Sequence, residues 1–324
     1  MNRKSMNERA PRRGKGEVLK MKVLVSAVLL AALPGAALAA PYLPIAGSPN
    51  SLQFQAGRTG LDLESVEPEG DDRQGPAGDS DTIGGAFTYW GVRGQSGQRY
   101  DVHYQHARRV SEGSRMRFVV DVPINVLHSG PDRLINEPAG ATAVLGTVSA
   151  GLEVPVQKNW LITPRVSYGV ASAGRFFGGD GELVTGSVTS RAKIGNLGRG
   201  DLILGNMVAY SHTVRVLTGR NFFGTQVNWV FRNGLAYQLP LKTRMFGRQA
   251  SLRASYVFTT ATKDPLSYKS VHEVGLSIGV RSREAEQKNR FDQLRIGILY
   301  THSKNEFAAN FDYDAATLTL GYRF

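Results

Sequence analysis

From residue 83 to residue 324 apolar and polar positions alternate with a period of two, in one segment after another. Val274, Leu276, Ile278 and Val280 share a face opposite Glu273, Gly275, Ser277 and Arg281. Leu294, Ile296, Ile298 and Tyr300 stand in the same way against Gln293, Arg295 and Gly297. Val227, Trp229, Phe231, Leu235 and Tyr237 oppose Gln226, Asn228, Arg232 and Gln238, and Met116, Phe118, Val120 and Val122 oppose Arg115, Arg117 and Asp121. Successive side chains of a strand point to opposite faces, so this period predicts strands, each with one apolar row, about twelve in all.

The connectors alternate too. Those at 157–159, 196–199 and 284–288 are short and fall on one side of the predicted sheet, whereas 127–140, 172–181, 214–222 and 260–270 are longer and fall on the other. Two break the rule: 94–97 is short on the long side, and 239–247 is long on the short side. Short turns at one end and long loops at the other mark a barrel threaded through a bilayer; a soluble β-sandwich alternates its faces but not its loops. Beyond residue 39 no apolar run is long enough for a spanning helix. Strands cross a bilayer only if they close on themselves, since an edge in lipid leaves backbone groups unsatisfied. The expectation is an all-β chain forming a closed antiparallel transmembrane barrel of about twelve strands over 83–324. Trp160, Tyr168, Trp229, Tyr237, Tyr300 and Tyr322, near predicted strand ends, are expected to form the interfacial aromatic belts.

Two other regions precede it. Met21 and Lys22 lead an apolar run to Leu33, a Pro34–Gly35 break, and a small-x-small site at Ala37 and Ala39. That order is an export signal, so residues 1–39 are read as removed, with Met21 an alternative start. Residues 40–82 are acidic and rich in Gly and Pro: over 62–81, Asp62, Glu64, Glu67, Glu69, Asp71, Asp72, Asp79 and Asp81 face only Arg73. Such a composition buries no core, and it is read as a solvated tail or as an insert that caps a cationic barrel interior. A further strand at 52–63 is a third reading, which would raise the count toward fourteen.

The whole chain carries a formal charge of +12. Removing residues 1–39 leaves 31 basic against 25 acidic residues, a net +6. That undercuts a nucleic-acid partner. The chain has no cysteine, hence no disulfide, thiolate metal site or cysteine nucleophile. No cofactor and no metal is expected.

Residues 314–324 form a last alternating segment in which Leu318, Leu320, Tyr322 and Phe324 share a face and an aromatic residue closes the chain. On the alternation and this ending the chain resembles Gram-negative outer-membrane β-barrels, in particular a solitary, passenger-less autotransporter-type translocator barrel or a small porin-like barrel. The resemblance implies that Leu320, Tyr322 and Phe324 belong to a signal read by the outer-membrane assembly machinery. It also implies a cell outer-membrane location among outer-membrane lipids and lipopolysaccharide.

The predicted inner rows hold Arg99, Arg115, Arg117, Arg165, Arg191, Lys193, Arg232, Arg253, Arg281, Arg295 and Arg323, against Asp101, Asp121, Glu153, Asp201 and Glu273. A cationic interior points to a monomeric, narrow, passive channel for small anionic solutes. The alternatives are a structural or adhesive surface barrel whose lumen is closed by these same long side chains, and an outer-membrane lipid hydrolase. For the hydrolase the outward His212 stands beside Ser211, but Ser211 points to the opposite face, and no catalytic residue is assigned. His272 and His302, both outward at the outer end, with Lys263, Lys269 and Lys304 nearby, are read as polar residues of the wet interface or as contacts to lipopolysaccharide phosphates.

Overall fold

The computed structural model describes residues 79–92, 95–130, 141–157, 159–173, 180–217, 227–261, 270–281, 292–304 and 312–323, with two short strands ahead of them. Those two, β1 (Gly70–Asp71) and β2 (Gly75–Pro76), pair with each other. The export signal, most of the acidic segment, the 52–63 stretch and Phe324 lie outside the described residues.

The remaining strands make one closed barrel. They are β3 (Ser80–Val92), β4 (Gln95–Arg109), β5 (Arg117–Ser129), β6 (Ala141–Gln157), β7 (Trp160–Ala173), β8 (Gly181–Leu197), β9 (Gly200–Val214), β10 (Val227–Met245), β11 (Arg248–Ala261), β12 (Ser270–Arg281), β13 (Asp292–Ser303) and β14 (Tyr313–Arg323). Each pairs antiparallel with its sequence neighbours. β14 closes on β3, with Tyr313 opposite Val92 and Arg323 opposite Thr82. Closure leaves no strand edge among the twelve, so each backbone ladder is satisfied within the wall. Among the described residues no helix is long and apolar enough to cross a membrane.

The pleat sorts side chains inside from out. Ile83, Phe87, Val102, Phe118, Leu276, Ile298, Leu318 and Leu320 are exposed on the outer face, while Thr88, Arg117, Glu153, Glu273 and Arg295 are buried on the inner one. This inverts a soluble barrel: the apolar rows face outward, where only hydrocarbon leaves them without a hydration cost. Aromatic side chains mark the ends of the apolar band. Trp160, Trp229, Tyr300 and Tyr322 are exposed on the outer face. Tyr210, Trp229 and Phe231 form a ring cluster, with centroid separations of 4.8 and 6.4 Å about Trp229. Tyr237 donates from its hydroxyl to the Leu197 carbonyl at 2.8 Å.

The rim that holds Ser80 and Arg323 is the one where tight turns cluster, at 198–199 and 246–247. Most connectors at the opposite rim are longer in sequence, and by the rule for outer-membrane barrels that makes this rim the periplasmic one. All four register shifts in the wall lie toward it, at Pro155/Gln157, Lys193/Gly195, Pro240/Arg244 and Val280/Arg281. Bulges of this kind end a regular ladder and turn the strand.

Three expectations change. The first barrel strand begins at Ser80, three residues before Ile83. The connector expected at 239–247 is mostly strand: β10 and β11 pair beyond the bulge as far as Met245 opposite Arg248, and only Phe246 and Gly247 turn. Val280 keeps the outward parity and the regular register with Ala250 and Leu294, but unlike Val274 and Leu276 it is buried.

Candidate functional site: the barrel interior

Most inner rows carry long charged side chains among Ser and Thr. Arg117 on β5 lies directly opposite Glu153 on β6, and the pair is fully enclosed, with Nη2 2.5 Å from the carboxylate. Arg232 on β10 reaches over β11, touching Thr259 at 2.9 Å, to Glu273 on β12 at 2.5 Å. Arg295 makes the same kind of span from β13, donating to Ser277 Oγ on β12 and to Ser251 Oγ on β11, both at 2.8 Å. Strands stand about 4.8 Å apart, so bridging two of them needs a long stem ending in a planar fork of donors. Arginine has both, whereas lysine ends in a point charge.

The other inner charges are placed as follows. Arg99 donates to Asp101 at 2.7 Å on the same strand, Arg165 lies 3.8 Å from Asp121 across β6, and Lys193 lies 3.1 Å from Asp201. Arg253 donates to Gln238 at 2.6 Å and Arg281 to Gln249 at 3.3 Å. Arg191 stands opposite Gly205 in the β8–β9 ladder. Arg323 is placed by its backbone pairing with Thr82 alone. Arg115 departs from the expected inner row: it sits in the exposed turn between β4 and β5, because β5 begins only at Arg117. Leu320 and Tyr322 lie on the outer face of β14. Ala37, Ala39 and Phe324 lie outside the described residues.

The inner residues just placed, Arg323 aside, comprise nine cations (Arg99, Arg117, Arg165, Arg191, Lys193, Arg232, Arg253, Arg281, Arg295) and five carboxylates (Asp101, Asp121, Glu153, Asp201, Glu273), an excess of four positive charges. Charges in such an interior interact several times more strongly than in bulk water.

A feature not anticipated from the sequence closes in on the outer end. Trp90 and Tyr313 are buried, with ring centroids 6.4 Å apart. They cluster with Val92, Leu127, Ala143, Leu145, Ala171, Leu183 and Ala315. Gly97 makes room for the indole: a Cβ there would lie 2.3 Å from a Trp90 ring carbon and 2.2 Å from the His128 carbonyl oxygen. The signal was present in the pattern, since Trp90 and Val92 share the parity of Thr88 and not that of Ile83, Phe87 and Tyr89. Hydroxyls form a second unanticipated set, linked across strands by Thr88 to Thr317 and Thr185 to Ser211, each at 2.9 Å. Ser211 is therefore turned inward, away from His212, as the alternation requires. Among the described residues no group of three or more His, Asp or Glu side chains converges to hold a metal ion.

No protein-family model matches the chain, and no curated protein matches its sequence. Solved structures match its fold. The β domain of the Bordetella autotransporter Brka is similar at a TM-score of 0.53 and 10% identity, over 76% of this chain and 99% of that one. The translocator domain of the autotransporter NalP from Neisseria meningitidis aligns over 76% of this chain and 89% of its own, at 0.48 and 14% identity. The NanC porin aligns over 74% and 98%, at 0.43 and 10%. Likeness at such identity is likeness of fold. With its closed wall, apolar exterior and charged, enclosed interior, the chain has the fold of a twelve-stranded outer-membrane β-barrel, similar to the autotransporter β domain.

Proposed function

We propose that the barrel is a narrow passive channel that prefers small anions. The observation that carries this reading is the excess of four positive charges among the described inner residues placed above, enclosed by the wall and held by partners on neighbouring strands. Guanidinium groups held by neighbours across the wall keep the potential fixed in place, so a permeating anion meets a charged surface that has no need to reorganise. Reconstitution in a planar bilayer under a salt gradient tests it. The expected result is a small conductance whose reversal potential lies on the anion side; a cation preference would overturn the reading.

A second reading rests on the apolar cluster at the outer end. Trp90, Tyr313, Leu127 and Leu145 are buried together there, and in this version they shut the lumen and the barrel is a closed surface element whose outer loops do the work. Here the wild-type protein leaves the bilayer sealed, and Trp90→Ala opens it. Hydrolase chemistry gains no support from the placement of Ser211 and His212.

A further inference from the structure

The outer face repeats one arrangement at both rims. On β4 the outward positions Tyr104, His106 and Arg108 run toward the periplasm; on β13 the outward positions Tyr300 and His302, with Lys304 just beyond, run toward the exterior. The pattern is Tyr-x-His-x-cation in each case, ordered from hydrocarbon to water. Each histidine stands directly opposite an aspartate on the adjoining strand, His106 opposite Asp81 and His302 opposite Asp314. In both, the imidazole Nδ1 lies 2.9 Å from the carboxylate. In both, the tyrosine hydroxyl donates to that same carboxylate, Tyr104 to Asp81 and Tyr300 to Asp314.

The spacing of the two sets matches a membrane. Asp314 pairs with Gly91 of β3, so ten residues of β3 separate its level from that of Asp81. At about 3.3 Å per residue and a strand tilt near 40°, the vertical separation is about 25 Å. An outer-membrane barrel carries an apolar band of about that height. A belt that only anchors the barrel needs tyrosine or tryptophan; it does not need a carboxylate, which is costly to keep next to lipid. What the carboxylate does here is fix the ring, committing Nδ1 and leaving Nε2 for a ligand, beside an exposed arginine or lysine.

We propose that the two Tyr–Asp–His clips, each completed by Arg108 or Lys304, bind the phosphate of a membrane-lipid headgroup, one in each leaflet. With both ring nitrogens protonated, the imidazole donates through Nδ1 to the aspartate and through Nε2 outward, so that Nε2 and the cation supply two donors at headgroup depth, the geometry an anionic phosphodiester or phosphomonoester accepts. This inference is independent of what passes through the lumen.

Native mass spectrometry of the full barrel in non-ionic detergent with added phosphatidylglycerol provides the test, with the double variants H106Q/R108Q and H302Q/K304Q. Each is checked first for an unchanged heat-modifiable gel shift, so that loss of lipid is not loss of fold. The wild type is expected to retain phosphatidylglycerol through delipidation. Each pair of substitutions should remove one retained lipid, with affinity falling about fivefold for each positive charge lost. Three results would overturn the proposal: variants that keep the full complement, diacylglycerol without phosphate held equally well, or displacement of the lipid by excess inorganic phosphate, which would make the clips sites for the free anion.

Discussion

At the scale of single residues, the inner charges owe their stability to partners they can reach only because the wall closes. Arg117 and Glu153 lie on neighbouring strands with essentially no exposure, and Ser80 adds a longer contact at 3.4 Å. Removing one member of such a pair leaves a charge with neither water nor counter-ion. Glu153→Ala is expected to cost about 3–5 kcal/mol, whereas joint replacement of Arg117 and Glu153 by leucine and methionine should cost much less. Urea unfolding in lipid vesicles, followed by tryptophan fluorescence, measures both; equal losses would show that the ion pair is not the relevant contact. The alternation alone placed Arg117, Arg232 and Arg295 on the inner rows. It could not say that Arg232 would find Glu273, 41 residues away, because that contact exists only once β10, β11 and β12 lie side by side. Arg115 was misplaced for a local reason: the period runs on through Met116, but the ladder with β6 starts at Arg117.

At the scale of elements, β10 and β11 show where local chemistry and pattern part company. Their two-residue turn, Phe246–Gly247, has φ of 55° and 74°. Glycine tolerates that region; a bulky residue does not, and Asn-Gly is the preferred pair for such a hairpin. Phe246→Asn is expected to stabilise the barrel by about 1 kcal/mol in the same unfolding assay. A loss of stability would mean that the exposed ring makes a contact worth more than its strain. The pattern does not reveal this turn because a phenylalanine gives no turn signal and Pro240 reads as a break; in the structure Pro240 pairs opposite Ser251 as the last residue in register before a bulge, and the strand continues beyond it. The outer rows yield a second prediction. Ile298 lies mid-strand on β13, and Leu320 lies nearer the periplasmic rim on β14. Ile298→Arg should cost about 2–4 kcal/mol and Leu320→Arg less, since the penalty falls toward the interface. Similar costs at both positions would argue against a bilayer of the inferred depth.

At the scale of the whole molecule, closure is the property from which the rest follows. One contact, β14 on β3 from Tyr313–Val92 to Arg323–Thr82, joins the ends of the barrel sequence and turns a curved sheet into a wall without edges. Such a wall resists detergent until heated. The protein extracted from membranes is expected to run at a different gel mobility when unheated than after boiling, and recovery of the chain as a freely diffusing periplasmic species would contradict the fold. The same closure brings Trp90 and Tyr313 together from strands far apart in the sequence and encloses them with Leu127 and Leu145 at the outer end.

The sequence by itself determined the strand period, the number of strands, the inward placement of arginine and the outward placement of leucine, isoleucine and valine. Each follows from a rule that acts within a strand, the two-residue pleat, combined with the cost of charge in hydrocarbon. Tertiary structure alone decided which arginine meets which carboxylate, that an aromatic and aliphatic cluster is buried at the outer end, and that Tyr-x-His segments at 104–106 and 300–302 each gain an aspartate from the adjoining strand. Those are matters of register between strands, fixed by the shared bonding of all twelve, and no period along one strand carries that information.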